Sequence, residues 1–110
     1  MAVKRGDIVI VAQGELGRPR PAVVVQADEL GEATTTVLVC PITSHVMDKL
    51  PVRPIVEPGA NNSLRARSQI MTDKMFAVRR DRVGRVIGSL DPSNLDALNY
   101  ELLVVLGLSR

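Results

Sequence analysis

The feature that most constrains this chain is its punctuation. Short β-branched runs follow one another, each cut off by glycine, proline or asparagine, and only after residue 90 does a helical pattern begin. Gly6 to Ala12 (GDIVIVA) is the first such run, closed by Gln13-Gly14 and Gly17. Pro21 to Ala27 (PAVVVQA) is the second. Thr34 to Thr43 (TTTVLVCPIT) is the longest, and its dense β-branched character predicts a strand near the sheet centre, buried on both faces. Val52 to Glu57 alternates, but it contains Pro54 between Pro51 and Pro58, so an edge position or a poor strand is expected. Pro58-Gly59-Ala60-Asn61-Asn62 reads as a loop. Arg65 to Met71 alternates again, which puts Arg65, Arg67, Gln69 and Met71 on one face and Ala66, Ser68 and Ile70 on the other. Arg85 to Gly88 is a last extended piece.

The helix is the firmest local reading. Asp91 can cap with its carboxylate, and Pro92 follows at the first helical position, where its missing N–H costs nothing. Leu95, Leu98, Leu102, Val105 and Leu106 then recur on one stripe, and Gly107 is a natural stop. Many short strands before one packing helix predict an α+β fold: a small, strongly bent antiparallel sheet with a C-terminal helix. With 110 residues there is room for one core, so residues 1–110 are expected to form a single domain.

Composition narrows the setting. Aromatics are 2% with no Trp, so Val, Ile, Leu and Ala must build the core. The longest apolar runs are too short to span a bilayer, and Lys4-Arg5 leads into Gly-Asp without a signal-peptide pattern. Cys40 is the only cysteine and lies in an apolar stretch that reads as buried. Cytoplasm is therefore the expected compartment, with no membrane partner. Net charge is only +2, yet seven of the fourteen basic residues fall between Arg65 and Arg85: Arg65, Arg67, Lys74, Arg79, Arg80, Arg82 and Arg85. That bias suits a ligand held by its phosphates, although a solvated basic surface would look the same.

The chemistry is reached by elimination. One histidine, His45, rules out a two-histidine ribonuclease, and its place in a turn reads as a solvated loop position. No Cys/His cluster has zinc spacing, and the carboxylates are scattered singly instead of paired to hold two metals, so no metal and no cofactor is expected. No Gly-rich phosphate loop or nucleophile elbow occurs. Arginines, hydroxyls and Gln beside turns remain, and such groups bind phosphate and stabilise charge in a transition state. Residues alone thus define a phosphate-binding domain of open purpose.

The order of the motifs adds a family likeness. Arg5-Gly6-Asp7-Ile8-Val9, Arg20-Pro21-Ala22-Val23-Val24-Val25, Cys40-Pro41-Ile42-Thr43-Ser44 and Ser68-Gln69-Ile70-Met71-Thr72, followed by the Gly84-to-Leu90 segment and the helix, resemble the MazF/PemK toxins in sequence and spacing over nearly the whole chain. The resemblance implies a CcdB-like, SH3-related barrel that dimerises, cuts single-stranded RNA without a metal and is held by an antitoxin. It implies catalytic roles for Arg20 and Thr43. Glu15 stands five residues before Arg20, as an acidic residue does in some members, and is a candidate to orient the arginine or accept a proton. Ser44, Arg65, Arg67, Gln69 and Arg79 are the expected RNA contacts. The rival reading is a CcdB-like gyrase poison, but that group depends on a C-terminal Trp-Gly-Ile, whereas this chain ends Leu106-Gly107-Leu108-Ser109-Arg110.

Overall fold

The computed structural model of the chain describes residues 2–12 and 18–109. Seven strands precede one helix: β1 (Asp7–Ala12), β2 (Pro19–Val24), β3 (Thr36–Thr43), β4 (Ile55–Val56), β5 (Ser68–Ile70), β6 (Phe76–Arg79), β7 (Val83–Ser89) and α1 (Pro92–Val105). Every pairing is antiparallel, in the order β4-β5-β3-β2-β1-β7. The long β-branched run is the hub, as its composition predicts. Strand β3 pairs with β2 along one edge, while on the other β6 takes its first half and β5 its second.

The two-residue period of the strands divides the apolar side chains between two clusters. Ile8, Val23, Cys40, Ile42 and Ile70 join Leu98 and Leu102 of the helix in one. Val9, Val11, Ala22, Val24, Val37, Val39 and Val78 form the other, with Val83 packed against it. Val78 on β6 and Val83 on β7 reach the same cluster although their strands lie on opposite sides of β2 and β1, so the sheet is strongly curled. Register slips between β1 and β7, where β7 supplies extra residues, sharpen that curl.

The helix begins and ends as the sequence predicts. The Asp91 carboxylate accepts the Asn94 N–H at 2.8 Å, and Pro92 opens the first turn. Gly107 takes φ 72°, while Leu108 N–H reaches the Leu103 carbonyl at 2.8 Å and Gly107 N–H the Val104 carbonyl at 3.0 Å, closing the C-terminus with a Schellman arrangement. Leu98 and Leu102 are buried, but Leu106 is the C-cap and is 53% exposed, so it leaves the predicted stripe.

One strand expectation needs correction, one is met at the sheet edge, and one strand was not expected. Arg65 to Arg67 lie outside any strand, and only Ser68–Ile70 pairs, because its neighbours offer two residues each, Ile42-Thr43 and Ile55-Val56. The alternation read there fails accordingly, since Ser68, Gln69 and Ile70 are all buried. The proline-framed run shrinks to Ile55–Val56 at the sheet edge. Strand β6 carries little apolar alternation and escapes the sequence reading; register with Thr36–Val39 makes it.

Candidate active site

The groove lies where β2 and β3 part from each other. Strand β2 can open on Pro19 because a proline at the first strand position forfeits no ladder bond. Ala22–Pro41 is the last pair that β2 and β3 make at this end; beyond it Arg20 stays paired with Val11 of β1, while Thr43 pairs with Gln69 of β5. Arg20 and Thr43 line a groove of about 530 Å³ together with Ser44, His45, Ser63, Leu64, Arg65 and Ser68, over apolar Ile10, Ile42 and Ile87. Arg20 is exposed, Thr43 is half-buried, and no carboxylate lines the groove among the described residues.

Two loops frame this groove, and each is fastened from behind. The first follows Thr43, whose Oγ1 accepts the His45 N–H at 3.1 Å. Further along, Gln69 is 2% exposed and clasps the loop with its whole amide. Its Oε1 accepts the Met47 N–H at 2.7 Å, and its Nε2 donates to the carbonyls of Met47 at 3.2 Å and Arg53 at 3.3 Å. Three residues on, the Thr72 hydroxyl donates to the Val52 carbonyl at 2.6 Å. The Gln-x-x-Thr spacing is therefore a device that grips one loop at two points. Arg53 adds a third, donating from Nε and Nη2 to the two Asp73 carboxylate oxygens at 2.8 and 3.0 Å. That paired hydrogen bond holds the Asp73 carboxyl below the usual carboxylate range, against a smaller opposing effect of burial.

The second loop is held by Asn62. Its Oδ1 accepts the N–H groups of Gly59 at 3.1 Å and Leu64 at 3.0 Å, while Nδ2 donates to the Glu57 carbonyl at 2.9 Å. Ser63 adopts φ 58°, turning the chain before Leu64 and Arg65. The loop crosses β7 so closely that a Cβ on Gly88 would collide with the Asn61 carbonyl oxygen.

The residues named from sequence fare differently. Arg20, Thr43, Ser44 and Arg65 share the groove. Gln69 does not face it as an RNA contact; burial has given it the loop-holding work instead. Arg67 is exposed and pairs with Glu57 at 3.1 Å. Arg79 pairs with Asp81 and stands opposite Thr36, at the other end of β3 from Thr43. At ~3.3 Å per residue those ends are roughly 23 Å apart. Arg80, beside it, donates its guanidinium to the carbonyls of Thr34 and Gly31. The basic run is thus split across the molecule and forms no single face. Glu15 lies outside the described residues. His45 is an exposed loop residue, as read from sequence, and it also lines the groove beside Thr43 and Ser44. Among the described residues there is no group of three or more His, Cys, Asp or Glu placed to hold a metal, and no helix is long and apolar enough to cross a membrane.

Known proteins share this architecture. The family model described as PemK-like, MazF-like toxin of type II toxin–antitoxin system matches residues 4–106. A Mycolicibacterium smegmatis protein named probable endoribonuclease MazF is 32% identical over 109 residues, covering 97% of this chain and 99% of its own length. The solved structure of the Mycobacterium tuberculosis toxin MazF-mt6 is 26% identical with a TM-score of 0.78, covering 94% of this chain and 99% of that one. A MazE–MazF structure from Deinococcus radiodurans superposes with a TM-score of 0.79 over 99% of each chain, at 20% identity a likeness of fold alone.

Proposed function

We propose, since this chain belongs to the PemK-like, MazF-like toxin family of type II toxin–antitoxin systems, that it is an endoribonuclease cutting single-stranded RNA by attack of the ribose 2′-OH, without a metal. The observation that supports this reading is that Arg20 and Thr43 line one groove that also holds Arg65. As the 2′-oxygen approaches phosphorus, negative charge grows on the non-bridging oxygens. A guanidinium meets that charge with a planar pair of donors. The Thr43 oxygen already accepts the His45 N–H, so its own proton is free to be given to the phosphoryl group. The P–O5′ bond then breaks, leaving a 2′,3′-cyclic phosphate and a 5′-OH. Arg65 and Ser44 contact the backbone of the bound strand. Incubating the purified protein with a long defined RNA in EDTA, then mapping the ends, tests this directly. Cleavage only when a divalent metal is added, or ends bearing 5′-phosphate, would defeat it.

The same reading includes two protein partners. Leu103, Leu106 and Leu108 are 47%, 53% and 67% exposed, and with Leu38, Met75 and Leu102 they line an apolar cleft of about 400 Å³ at the C-terminal end of α1. A second copy of the chain covers this face in a homodimer, which also lets a short chain bury more apolar surface than one core allows. Light scattering at micromolar concentration gives twice the 11.9 kDa chain mass if so, and Leu106→Asp returns it to one. The other partner is a cognate antitoxin, as in the solved complex of a mycobacterial endoribonuclease with its cognate antitoxin.

A further inference from the structure

His45 is the only histidine in the chain, and the fold delivers it to the groove beside Arg20 and Thr43. Its backbone is not free to wander. The His45 N–H is tied to the Thr43 hydroxyl at 3.1 Å, and two residues later Gln69 holds both the N–H and the carbonyl of Met47. The segment between these ties is a bracket two residues long, built on a buried amide. The imidazole is exposed to solvent, so a bound strand can reach it, while the backbone that carries it is held in place.

The other groove residues leave a gap in the chemistry. Arg20 on β2 and Arg65 in the segment before β5 line the same groove as His45; both are permanent cations. Thr43, Ser44, Ser63 and Ser68 carry hydroxyls that neither gain nor lose a proton near neutrality. The other charged groups on its own loop, Asp48, Lys49 and Arg53, do not line the groove, and Arg53 is paired with Asp73. An imidazole is the one side-chain type that ordinarily exchanges protons between about pH 5 and 8. Expulsion of an alkoxide is the step that most needs a proton donor.

We infer that His45 is a catalytic residue: its imidazolium donates a proton to the departing 5′-oxygen while Arg20 and Thr43 steady the phosphoryl oxygens. This rests on the ribonuclease reading above. The 2′-O–P bond forms as the P–O5′ bond breaks, the 2′-OH proton passes to solvent, the imidazolium proton passes to O5′, and solvent reprotonates the ring.

The test compares two RNA substrates of the same cleaved sequence, one ordinary and one with sulfur replacing the bridging 5′-oxygen, whose thiolate leaves without a proton. Single-turnover rates are measured for the parent, His45→Ala and His45→Gln, with circular dichroism and melting to confirm unchanged folding. On ordinary RNA both variants lose roughly 10²- to 10⁴-fold in rate, the usual range for a positioned acid. On the sulfur substrate they cut near the parent rate. Equal losses on both substrates would overturn the inference, because binding or charge alone would explain them. So would variants as fast as the parent on ordinary RNA. A parent that cuts neither substrate defeats the ribonuclease reading itself, which keeps the two failures distinct.

Discussion

Replacing Gln69 by leucine removes the clasp on the first groove loop while keeping nearly the same volume in a site that is 2% exposed, so little cavity cost is added. Three hydrogen bonds disappear. Met47 is 45% exposed, and its freed N–H and carbonyl can turn to water. The bond to the Arg53 carbonyl is fully buried, so that oxygen is left without a partner. An orphaned buried acceptor costs about 1–3 kcal/mol and each net bond lost about 0.5–1.5. With the Met47 groups resolvated, the total is about 2–4 kcal/mol. Urea unfolding followed by circular dichroism reads this as a lower midpoint at unchanged slope, and the melting temperature falls by ~10–20 °C in a domain of this size. Thr72→Val, which deletes the 2.6 Å bond to Val52, costs less, about 1 kcal/mol. Because both side chains grip one loop, the double variant departs from additivity. Gln69→Leu within about 0.5 kcal/mol of the parent, the ordinary range for a surface change, would refute the idea that the amide holds the loop.

Other expectations follow from the same geometry. Arg20→Ala lowers the single-turnover cleavage rate by roughly 10²- to 10³-fold with a smaller loss of RNA affinity; Thr43→Ala costs a comparable amount and Thr43→Ser much less, because the hydroxyl stays. Asp73 has a lowered folded carboxyl, so its pairing with Arg53 stabilises fully above the ordinary carboxylate value of 3.8 and is lost as pH falls through the lower folded value. Acid titration of unfolding stability should therefore lose part of its slope in Asp73→Asn, which also costs ~2–3 kcal/mol at neutral pH, the low end for a broken pair because Asp73 is about a third exposed. Burial pushes the Cys40 thiol up to about 12, so a thiol-reactive dye at pH 8 should leave it untouched in the native protein and label it once the chain is unfolded.

Much of this was legible in the sequence where one physical rule acts alone. Asp91-Pro92 and Gly107 mark the helix ends because capping and proline geometry are local. The β-branched run at Thr36–Thr43 announces a central strand because burial on both faces demands it. Gln69 was misread for the opposite reason. Alternation through Arg65 to Met71 assumes a continuous strand, and pairing partners elsewhere in the chain limit that strand to Ser68–Ile70. The basic run misled likewise, since position along the chain does not tell which end of β3 a residue reaches: Arg65 comes to the Thr43 end and Arg79 to the Thr36 end. Asn62 drew no notice because a loop asparagine that binds backbone groups looks like any other turn residue.

Apart from the Arg53–Asp73 pair, the fasteners behind the groove grip backbone, not side chains. Gln69 holds the N–H and carbonyl of Met47 and the carbonyl of Arg53; Asn62 holds groups of Glu57, Gly59 and Leu64. Every residue supplies those groups whatever its side chain, so positions such as Val46, Asp48, Lys49 and Ala60 can be rewritten without loosening the loops. Arg20 and Thr43, by contrast, ride on paired strands whose neighbours are core. Loop identity and strand chemistry are thereby inherited separately. A lineage built on this scaffold can diversify what its groove admits, one loop substitution at a time, while the pair at its head stays where the sheet put it.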